Sequence, residues 1–271
     1  MIGVKEMADT AAIVYLNELN CTKLTSVING LVSGSIAALV IKNTINHNVC
    51  DAIVDAINER EFGHYTAAPD FLKLGSTLYE YGKASNDDIN DIYLNESFDI
   101  GYNLQIELNN LFLPSSQLRL ALDDQWPAGA SVLKINGKRA PTGLVRKLDV
   151  GSEVLEHQDN SNWDFQGLDG MFNLSWLAYV SDFRGGQLKI YPEQFISQDA
   201  HDSYIIEGSD YAIDRKNLSL PKVVIDANKG DVVIFNPFFI HAVSKVESGV
   251  RITQSGLISV YDETTPLAFY Q

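Results

Sequence analysis

The sequence predicts an α+β protein with a mainly β core, built as a closed or sandwiched barrel in the C-terminal half of the chain. From about residue 129 onward, segments are short, alternate between apolar and polar residues, and are separated by Gly, Asn and Asp, which is typical of an antiparallel sheet. These segments number roughly eight, a count that suits a barrel or sandwich. Residues before about 128 show helical spacing, and we expect them to form a supporting, helical and mixed region. The 271 residues contain no repeat or linker, so we expect a single domain over 1–271.

The support region is predicted from periodicity and turn residues. An apolar run at 37–41 has the length and composition of a buried strand. The segment 47–60 places its apolar residues at helical spacing, and Asn46 before it is a suitable N-cap. The other predicted elements are an amphipathic segment at 11–19, a helix at 97–113 and a short helix that follows 114–116 and ends before Trp126.

The barrel core is predicted from alternation and from turn signals between strands. The Asn136-Gly137 pair after an apolar run is a strong signal for a two-residue hairpin. The other strands are expected at 144–148, 153–160, 171–180, 187–191, 223–225, 231–235 and 249–261. Residues 193–221 interrupt this pattern with a polar segment rich in Asp and Ser, and loops of that length are usually functional lids or disordered. We therefore expect 193–221 to form a lid over the functional site.

The charge and the cysteine content narrow the function classes. With 35 acidic and 20 basic residues the net charge is −15, and the sequence pI is about 4.6. An acidic surface repels phosphate backbones, so we expect no nucleic-acid partner. The longest apolar run is too short to span a bilayer, the N-terminus lacks a secretory signal, and Cys21 and Cys50 form no disulfide framework. The sequence therefore predicts a soluble, cytoplasmic protein and leaves its oligomeric state open.

The strongest chemical signal is the pair His157 and Asp159 on one predicted strand. Because side chains alternate between the two faces of a strand, these two point the same way, whereas Glu156 and Gln158 point the other way. An imidazole beside a carboxylate provides two of the three ligands of a 2-His-1-carboxylate iron site. We expect His241 to be the third ligand, because it follows a predicted strand and an Asn-Pro break in the ladder.

Arg251 and Thr253 share one face of the last predicted strand and complete the pattern. An octahedral Fe(II) with three facial ligands keeps three positions open, of which a 2-oxo acid takes two and O2 the third. The far carboxylate of 2-oxoglutarate then needs a cationic fork, which Arg251 supplies in bidentate geometry, and Thr253 adds a hydroxyl donor. Each residue alone has a plainer interpretation, as a polar pair on a sheet surface, a histidine beside a proline bend or a solvated arginine. All of those interpretations would have to hold at once. The other histidines, His47, His64 and His201, lie in surface or loop contexts.

These residues together resemble a known enzyme family. The features are His157-x-Asp159, the stretch RGGQL at 184–188, the stretch KGDVVIF at 229–235, His241 and Arg251-x-Thr253. The set resembles the Fe(II)/2-oxoglutarate-dependent oxygenases, and most closely their free-standing small-molecule branch, which includes indole-alkaloid halogenases and hydroxylases of N-substituted amino acids. The stretches PTGLVR at 141–146 and GSEVLEH at 151–157 are also similar, so the likeness spans most of residues 30–265.

The resemblance implies a fold, a set of cofactors and a reaction. The fold is a double-stranded β-helix, the jelly-roll or cupin-like barrel, supported by N-terminal helices. The cofactors are Fe(II) bound by His157, Asp159 and His241, the co-substrate 2-oxoglutarate, and O2. The reaction is hydroxylation, desaturation or ring closure at an unactivated C–H bond of a small molecule such as an amino acid derivative or a natural-product intermediate. Halogenating members have a small residue in place of the iron-binding carboxylate. Since Asp159 is present here, the resemblance implies a hydroxylase rather than a halogenase.

Further residues are expected near the site. The branch resemblance places an arginine at Arg146, near 2-oxoglutarate or a substrate anion, and the alternative is a surface arginine beside Lys147. Asn173, Ser175 and Tyr179 share one face of a predicted strand and are candidates to line the co-substrate pocket. The aromatic residues expected to shape the substrate pocket, or alternatively to pack in the core, are Trp163, Phe165 and Phe238.

Two other functions are compatible with parts of the pattern. A cupin-like metal enzyme that uses no 2-oxoglutarate would share the triad of His157, Asp159 and His241, but it gives Arg251 no role. A barrel-shaped binding protein without catalysis is the second alternative, and the intact triad argues against it. Metal analysis after anaerobic loading with Fe(II) distinguishes an iron enzyme from such a binding protein.

Overall fold

The structure, a computed structural model, describes residues 4–7, 11–17, 24–65, 67–77, 86–108, 111–135, 137–159, 171–195 and 197–271. Within these ranges the protein is mostly β, with fewer residues in helices. The helices are α1 (Leu24–Ser33), α2 (His47–Ile57), α3 (Asn86–Glu107), α4 (Pro114–Asp123) and α5 (Gln198–Asp202), and a 3-10 helix spans Arg215–Asn217. None of these helices is both long and apolar enough to cross a membrane.

The strands make up the rest of the regular structure. In chain order they are β1 (Val4–Glu6), β2 (Ala12–Leu16), β3 (Ile36–Ile41), β4 (Gly63–His64), β5 (Leu72–Leu74), β6 (Ala130–Val132), β7 (Lys134–Ile135), β8 (Lys138–Arg139), β9 (Leu144–Leu148), β10 (Val154–His157), β11 (Phe172–Tyr179), β12 (Phe183–Gly185), β13 (Leu188–Ile190), β14 (Glu193–Phe195), β15 (Val223–Ile225), β16 (Val232–Phe235), β17 (His241–Val243), β18 (Val246–Gly249), β19 (Arg251–Val260) and β20 (Leu267–Tyr270).

The largest sheet contains ten strands. Its main path runs β2-β3-β16-β11-β19-β9-β5-β4, and β20 pairs with both β19 and β6 beside that path. The central pairs are antiparallel, so that Tyr179 of β11 lies opposite Thr253 of β19, and Thr253 lies opposite Arg146 of β9. Directly opposite residues share a face of the sheet. These three side chains are therefore neighbours on one face.

A smaller sheet of four antiparallel strands carries the predicted histidine ligands. Its order is β10-β17-β13-β15, with β10 at one edge. His157 at the end of β10 lies opposite His241 at the start of β17. Three two-stranded sheets, β1-β14, β12-β18 and β7-β8, are also present among the described residues.

Alternation along β11 separates two apolar layers. Leu174, Trp176 and Ala178 lie on one face and belong to the largest apolar cluster, which also contains side chains of α1, α2 and α4. Tyr179 lies on the other face, in a second cluster that also includes Phe235 of β16. The members of this second cluster from the smaller sheet are Leu188, Ile190, Val223 and Ile225. The second cluster therefore fills the space between the two sheets, and the odd-numbered residues of β11 and β19 face that interior.

Several predicted elements agree with the structure. The strand expected at 37–41 is β3, and the helix expected at 47–60 is α2, where the Asn46 side chain accepts a hydrogen bond from Asn48 N at 2.8 Å. The short helix after 114–116 is α4, which begins with a proline. β7 and β8 pair on either side of Gly137, as the hairpin signal predicts. Strands lie within or overlap all of the other predicted β segments.

Other elements differ from the prediction. The helix predicted at 97–113 begins at Asn86 and ends at Glu107. The amphipathic segment 11–19 is strand β2, which runs parallel to β3. Helix α1 occupies a stretch in which the sequence predicts no helix, because Gly30 weakens the helical signal. A Cβ at Gly30 would lie 2.5 Å from Ile36 Cδ1, so the glycine allows α1 to approach β3 closely.

The segment 193–221 is more ordered than the predicted polar lid. It begins with β14, continues through α5, and contains an isolated antiparallel bridge between Ile205 and Ile213. Ile213 is fully buried. The apolar cluster to which it belongs consists of Tyr191, Phe195, Ile213, Ile240 and Ala242. The segment, called the insert below, therefore packs its own apolar residues against β17, which corrects the expectation of an irregular polar stretch.

Candidate metal centre

His157 and Asp159 point to the same side at the end of β10. The His157 Nε2 atom lies 3.8 Å from Asp159 Oδ1. Glu156 and Gln158 are buried on the opposite side, as the alternation predicts. The Asp159 backbone N–H donates to the Pro237 carbonyl at 3.1 Å, which holds the carboxylate residue against the segment that leads into β17. Two of the three proposed ligands are thus oriented by strand geometry and one long-range backbone bond.

His241 brings the third ligand to the same place. Its ring centroid is 4.2 Å from that of His157, and its Nε2 lies 4.0 Å from Asp159 Oδ2. One donor atom from each of His157, Asp159 and His241 lies within 4.8 Å of the other two. Three donors this close to one another can surround a single ion, and two imidazoles with one carboxylate form the ligand set of non-haem Fe(II) sites.

Backbone carbonyls orient both imidazole rings. His157 Nδ1 lies 2.8 Å from the Leu155 carbonyl, and His241 Nδ1 lies 3.0 Å from the Phe239 carbonyl. A carbonyl accepts only, so each Nδ1 carries the proton and each Nε2 keeps its lone pair for a metal. Burial, followed by the proximity of His157, lowers the pKa of His241 to about 4. His241 is therefore neutral at neutral pH, which is the form that binds metal.

The approach to His241 is built by Asn236 and the aromatic residues around it. The Asn236 side chain donates to the Leu31 carbonyl at 3.1 Å and accepts from Phe238 N at 3.0 Å, which shapes the break before β17. The Phe235 ring packs edge-on against His241 with centroids 5.0 Å apart. Phe238 is buried, and its ring centroid lies 4.8 Å from that of Phe172. The predicted pocket aromatics Trp163 and Phe165 lie outside the described residues.

Arg251 is a buried cation that forms no ion pair with the described carboxylates. It is 2 % exposed, its Nε donates to the Gly186 carbonyl at 3.0 Å, and its Nη2 donates to the Tyr179 hydroxyl at 3.3 Å. The guanidinium also lies 5.0 Å from the Tyr179 ring centroid and 5.9 Å from that of Phe183. No Asp or Glu in the described part of the chain forms an ion pair with it. Because a buried charge is costly unless it is paired, this geometry fits an anionic ligand.

Thr253 supplies a second donor beside Arg251. It is fully buried, and its Oγ1 has no hydrogen-bond partner among the described residues. A buried hydroxyl left unpaired costs free energy, and a ligand oxygen at that position would satisfy it. Arg251, Thr253 and Tyr179 therefore place donor groups together at one end of the interior, on the strand face shared with the other predicted co-substrate residues.

The glycine pair at 185–186 allows the close contact with Arg251. Gly186 has φ of +58°, and a Cβ there would lie 2.8 Å from Arg251 Cδ. Gly185 has φ of +71°, and a Cβ there would lie 2.3 Å from the Lys245 carbonyl. Both positions combine a left-handed backbone with a lack of space, so only glycine fits without displacement. The glycine pair therefore allows the Gly186 carbonyl to accept the hydrogen bond from Arg251 Nε.

The remaining predicted residues are placed on the interior face. Arg146 is half-buried, and its Nε donates to the Tyr65 hydroxyl at 2.9 Å, which argues against a solvated surface arginine. Asn173 is buried and its Oδ1 accepts from Ser259 Oγ at 2.6 Å. Ser175 is half-buried and lies between Phe235 and Leu257 in the sheet register. The strand face thus brings all three to the interior.

Two features of the site have no local sequence signal. Tyr211 of the insert packs edge-on against His157, with ring centroids 5.8 Å apart. Glu156, on the reverse side of β10, is 2 % exposed and accepts from Tyr191 Oη and from Arg215 Nε, each at 2.6 Å. These contacts join residues that are far apart in the chain. The alternation along β10 predicts that Glu156 is buried but does not identify Tyr191 or Arg215 as its partners.

No protein-family model matches the sequence, and no curated protein matches it either. Solved structures do match. An N-substituted L-amino acid dioxygenase from Burkholderia ambifaria AMMD is similar with a TM-score of 0.57 and 15% identity, over 92% of this chain and 91% of that chain. The same enzyme in complex with alpha-KG matches with a TM-score of 0.54 and 14% identity, over 92% and 91% of the two chains. HygX from Streptomyces hygroscopicus, with nickel and 2-oxoglutarate bound, has a TM-score of 0.48 and 11% identity over 88% and 86%.

These matching structures are Fe(II)/2-oxoglutarate oxygenases, the family that the sequence resembles. At such low identities the likeness concerns the fold and does not transfer a substrate or a reaction. The chain therefore has the fold of the N-substituted L-amino acid dioxygenase, and within that fold His157, Asp159 and His241 form a candidate metal centre.

Proposed function

We propose that this protein is a non-haem Fe(II)- and 2-oxoglutarate-dependent dioxygenase. Its substrate would be a small molecule such as an amino acid derivative or a natural-product intermediate, hydroxylated, desaturated or cyclised at an unactivated C–H bond. The observation that carries the proposal is the buried Arg251, which forms no ion pair with any described carboxylate and lies on the same interior as the triad. A metal enzyme that uses no 2-oxoglutarate would gain nothing from that cation.

The proposed architecture is a double-stranded β-helix. β9, β19, β11 and β16 would form one face of the barrel, and β10, β17, β13 and β15 the other. Successive strands from β9 to β11 alternate between the two sheets, which is the connectivity expected of a jelly roll. The apolar cluster shared by both sheets supports a barrel interior between them.

Each part of the site would have a distinct task in the reaction. His157, Asp159 and His241 would hold Fe(II), which supplies the coordination sites at which O2 and 2-oxoglutarate react to give succinate, CO2 and the oxidised substrate. Arg251, Thr253 and Tyr179 would bind the far carboxylate of 2-oxoglutarate and so fix its orientation. The buried aromatic residues around His241 would limit access of water to the metal side of the interior.

The proposal is tested by adding Fe(II) and 2-oxoglutarate without O2. An iron-bound 2-oxo acid gives a visible charge-transfer absorption, and we expect this band with 2-oxoglutarate. Admission of O2 should then produce succinate even without substrate, as a slow uncoupled reaction, and faster when a substrate is present. Iron binding without the band or succinate would instead favour a metal enzyme that does not use 2-oxoglutarate.

We expect no halogenated product from the wild-type protein, even in high chloride or bromide. The Asp159 carboxylate would occupy the coordination site that halide needs, and halide would have to displace an anionic ligand. Mass spectrometry of the product formed in excess halide, with labelled O2, measures this directly. A chlorinated product would refute Asp159 as an iron ligand. Asp159→Gly should lose hydroxylation without gaining efficient halogenation. Halide binding also requires hydrogen-bond donors around the metal, and removing the carboxylate does not supply them.

We also propose that the insert acts as a lid that becomes less mobile when substrate binds. Its outer part is held by the ion pair of Arg215 Nη2 with Glu156 Oε1 at 2.5 Å, of which only the glutamate is buried. Removing Arg215 leaves that buried carboxylate poorly paired, at a cost of about 1–3 kcal/mol. Arg215→Ala should therefore increase amide hydrogen exchange at 198–217, whereas the neighbouring exposed Lys216→Ala should not. Equally slow exchange in both variants, with and without a substrate analogue, would contradict a mobile lid.

A further inference from the structure

The two imidazoles of the candidate metal centre are held in the same way but by different parts of the chain. Each Nδ1 lies beside the backbone carbonyl two residues before it. Each imidazole also meets one aromatic ring at a steep angle. The Phe235 and His241 centroids are 5.0 Å apart with an interplanar angle of 67°, and the Tyr211 and His157 centroids are 5.8 Å apart with an angle of 74°. Phe235 belongs to β16 of the larger sheet, whereas Tyr211 belongs to the insert. The insert therefore supplies at His157 the ring contact that the sheet supplies at His241.

His157 depends on such support more than His241 does, because it lies on an edge strand. β17, which carries His241, is paired on both sides, with β10 and with β13. Among the described strands β10 is paired with β17 alone, and this pairing has a register shift between Val154 and His157. A strand with one neighbour and an interrupted ladder has fewer hydrogen bonds to hold its side chains in one orientation. The second neighbour of β10 is the insert.

The backbone on both sides of Tyr211 is fixed against β10. Two residues after it, the Ile213 backbone N–H donates to the Glu156 carbonyl at 2.7 Å. Two residues before it, the Ser209 hydroxyl accepts from the backbone N–H groups of Tyr211 and Ala212, at 3.3 and 2.9 Å. Ala212 and Ile213 are fully buried. The Tyr211 ring therefore has a defined position on the open side of β10.

The Tyr211 side chain contacts β10 at two points, the His157 ring and the Leu155 backbone. Burial raises the pKa of the Tyr211 hydroxyl, and the hydrogen bond that it accepts from the Leu155 backbone N–H lowers it. Leu155 is also the residue whose carbonyl lies 2.8 Å from His157 Nδ1. Tyr211 therefore acts on the His157 ring directly and on the residue that orients this ring. Its remaining contacts are with the apolar cluster of Leu148, Val154, Val243 and Val246.

We propose that Tyr211 is a positioning residue for His157, so that docking of the insert and binding of Fe(II) stabilise each other. This inference rests on the iron site of the proposed function and not on 2-oxoglutarate. An imidazole whose orientation is fixed in advance loses less conformational freedom when it binds a metal. Residues that orient metal ligands change metal affinity by about 10–100-fold. Because coupling between two equilibria is reciprocal, Fe(II) stabilises the docked insert by the same factor.

The test compares Fe(II) affinity between variants, measured without O2 by competition with a chelator. Tyr211→Leu keeps an apolar side chain in the cluster but removes the ring and the hydroxyl, and we expect about tenfold weaker Fe(II) binding. Tyr211→Phe keeps the ring and loses only the hydrogen bond from Leu155, and we expect about threefold weaker binding. Hydrogen exchange of the Ile213 amide is the reciprocal measurement. Fe(II) should slow this exchange about tenfold in the wild-type protein and should not slow it in Tyr211→Leu.

The matched control is Tyr204→Leu. Tyr204 is another half-buried tyrosine of the insert, and its ring centroid lies 4.8 Å from that of Phe195. Tyr204→Leu should lower the melting temperature as Tyr211→Leu does, because both changes remove a packed ring from the insert. It should keep the Fe(II) affinity of the wild-type protein. This difference separates positioning of His157 from general stabilisation of the insert.

The inference is overturned if both Tyr211 variants bind Fe(II) as tightly as the wild-type protein does. If Tyr211→Leu does not fold, Tyr211→Phe alone decides. An equal loss of Fe(II) affinity in Tyr204→Leu also overturns it, since loosening of the insert would then explain the effect. A wild-type protein that binds no Fe(II) rejects the inference together with the iron ligands. A wild-type protein that binds Fe(II) but shows no charge-transfer band with 2-oxoglutarate rejects only the proposed function, and the Fe(II) affinities still decide the role of Tyr211.

Discussion

The alanine variants of His157, Asp159 and His241 should each lose Fe(II)-dependent turnover. All three donor atoms are needed to hold one ion, and the geometry offers no substitute ligand among the described residues. The fold should survive, because it is stabilised by apolar clusters on both sides of the larger sheet rather than by these side chains. Succinate formation and iron content after anaerobic loading are the measurements.

The three variants should differ in stability. Asp159 has a side chain that is 47 % exposed, so its removal should have little effect on melting temperature. His241 is buried, and truncating it leaves a cavity that costs on the order of 1–3 kcal/mol. His201→Ala is a matched control, since His201 is also buried beside an aspartate, Asp202, but lies in the insert. Near-normal turnover in His241→Ala, or loss of iron in the control, would reject the assignment of the ligands.

Arg251→Ala should weaken 2-oxoglutarate binding by tens-fold or more while leaving metal binding nearly unchanged. Stranding one member of a buried, charge-assisted pair costs about 2–5 kcal/mol. In the protein without 2-oxoglutarate, by contrast, the same change removes a buried cation that forms no ion pair with the described residues. The free energy of unfolding should therefore fall by less than the burial of Arg251 alone suggests. Calorimetric titration of the Fe(II)-loaded protein with 2-oxoglutarate measures the effect.

Two further variants sharpen this experiment. Thr253→Val removes a hydroxyl that has no hydrogen-bond partner among the described residues. It should weaken 2-oxoglutarate binding by the equivalent of one hydrogen bond, about 1 kcal/mol. Arg184→Ala removes an exposed arginine from the neighbouring β12. It should change neither the affinity for 2-oxoglutarate nor the affinity for Fe(II). Unchanged 2-oxoglutarate binding in Arg251→Ala would leave the buried arginine without the role proposed for it.

The placement of the proposed metal ligands His157 and Asp159 could be predicted because it depends on local periodicity. Residues two positions apart on a strand point to the same face. This rule alone places His157 and Asp159 on one face and Glu156 on the other. The same rule places Arg251 and Thr253 on one face of β19. The pairing of His157 with His241 could be proposed only as a chemical requirement, since no local pattern brings β10 next to β17.

The rest of the fold could not be predicted because it depends on contacts between distant residues. Strands of two or three residues, such as β4 and β5, carry too few positions to show alternation. β2 is a strand because it pairs with β3, and its own sequence is equally compatible with a helix. Tyr211 reaches His157 only because the insert folds back along β10, which no feature of a polar segment indicates.

The insert also completes the edge of the smaller sheet. β10 has a neighbour on one side only, and the Ile213 backbone N–H donates to the Glu156 carbonyl on the open side at 2.7 Å. An uncovered strand edge is a template for pairing with another chain and favours aggregation. A chimaera that exchanges this insert for that of another enzyme, in order to alter substrate preference, would therefore uncover the strand that carries His157. The junctions of such a graft should leave residues 211–215 in place beside β10.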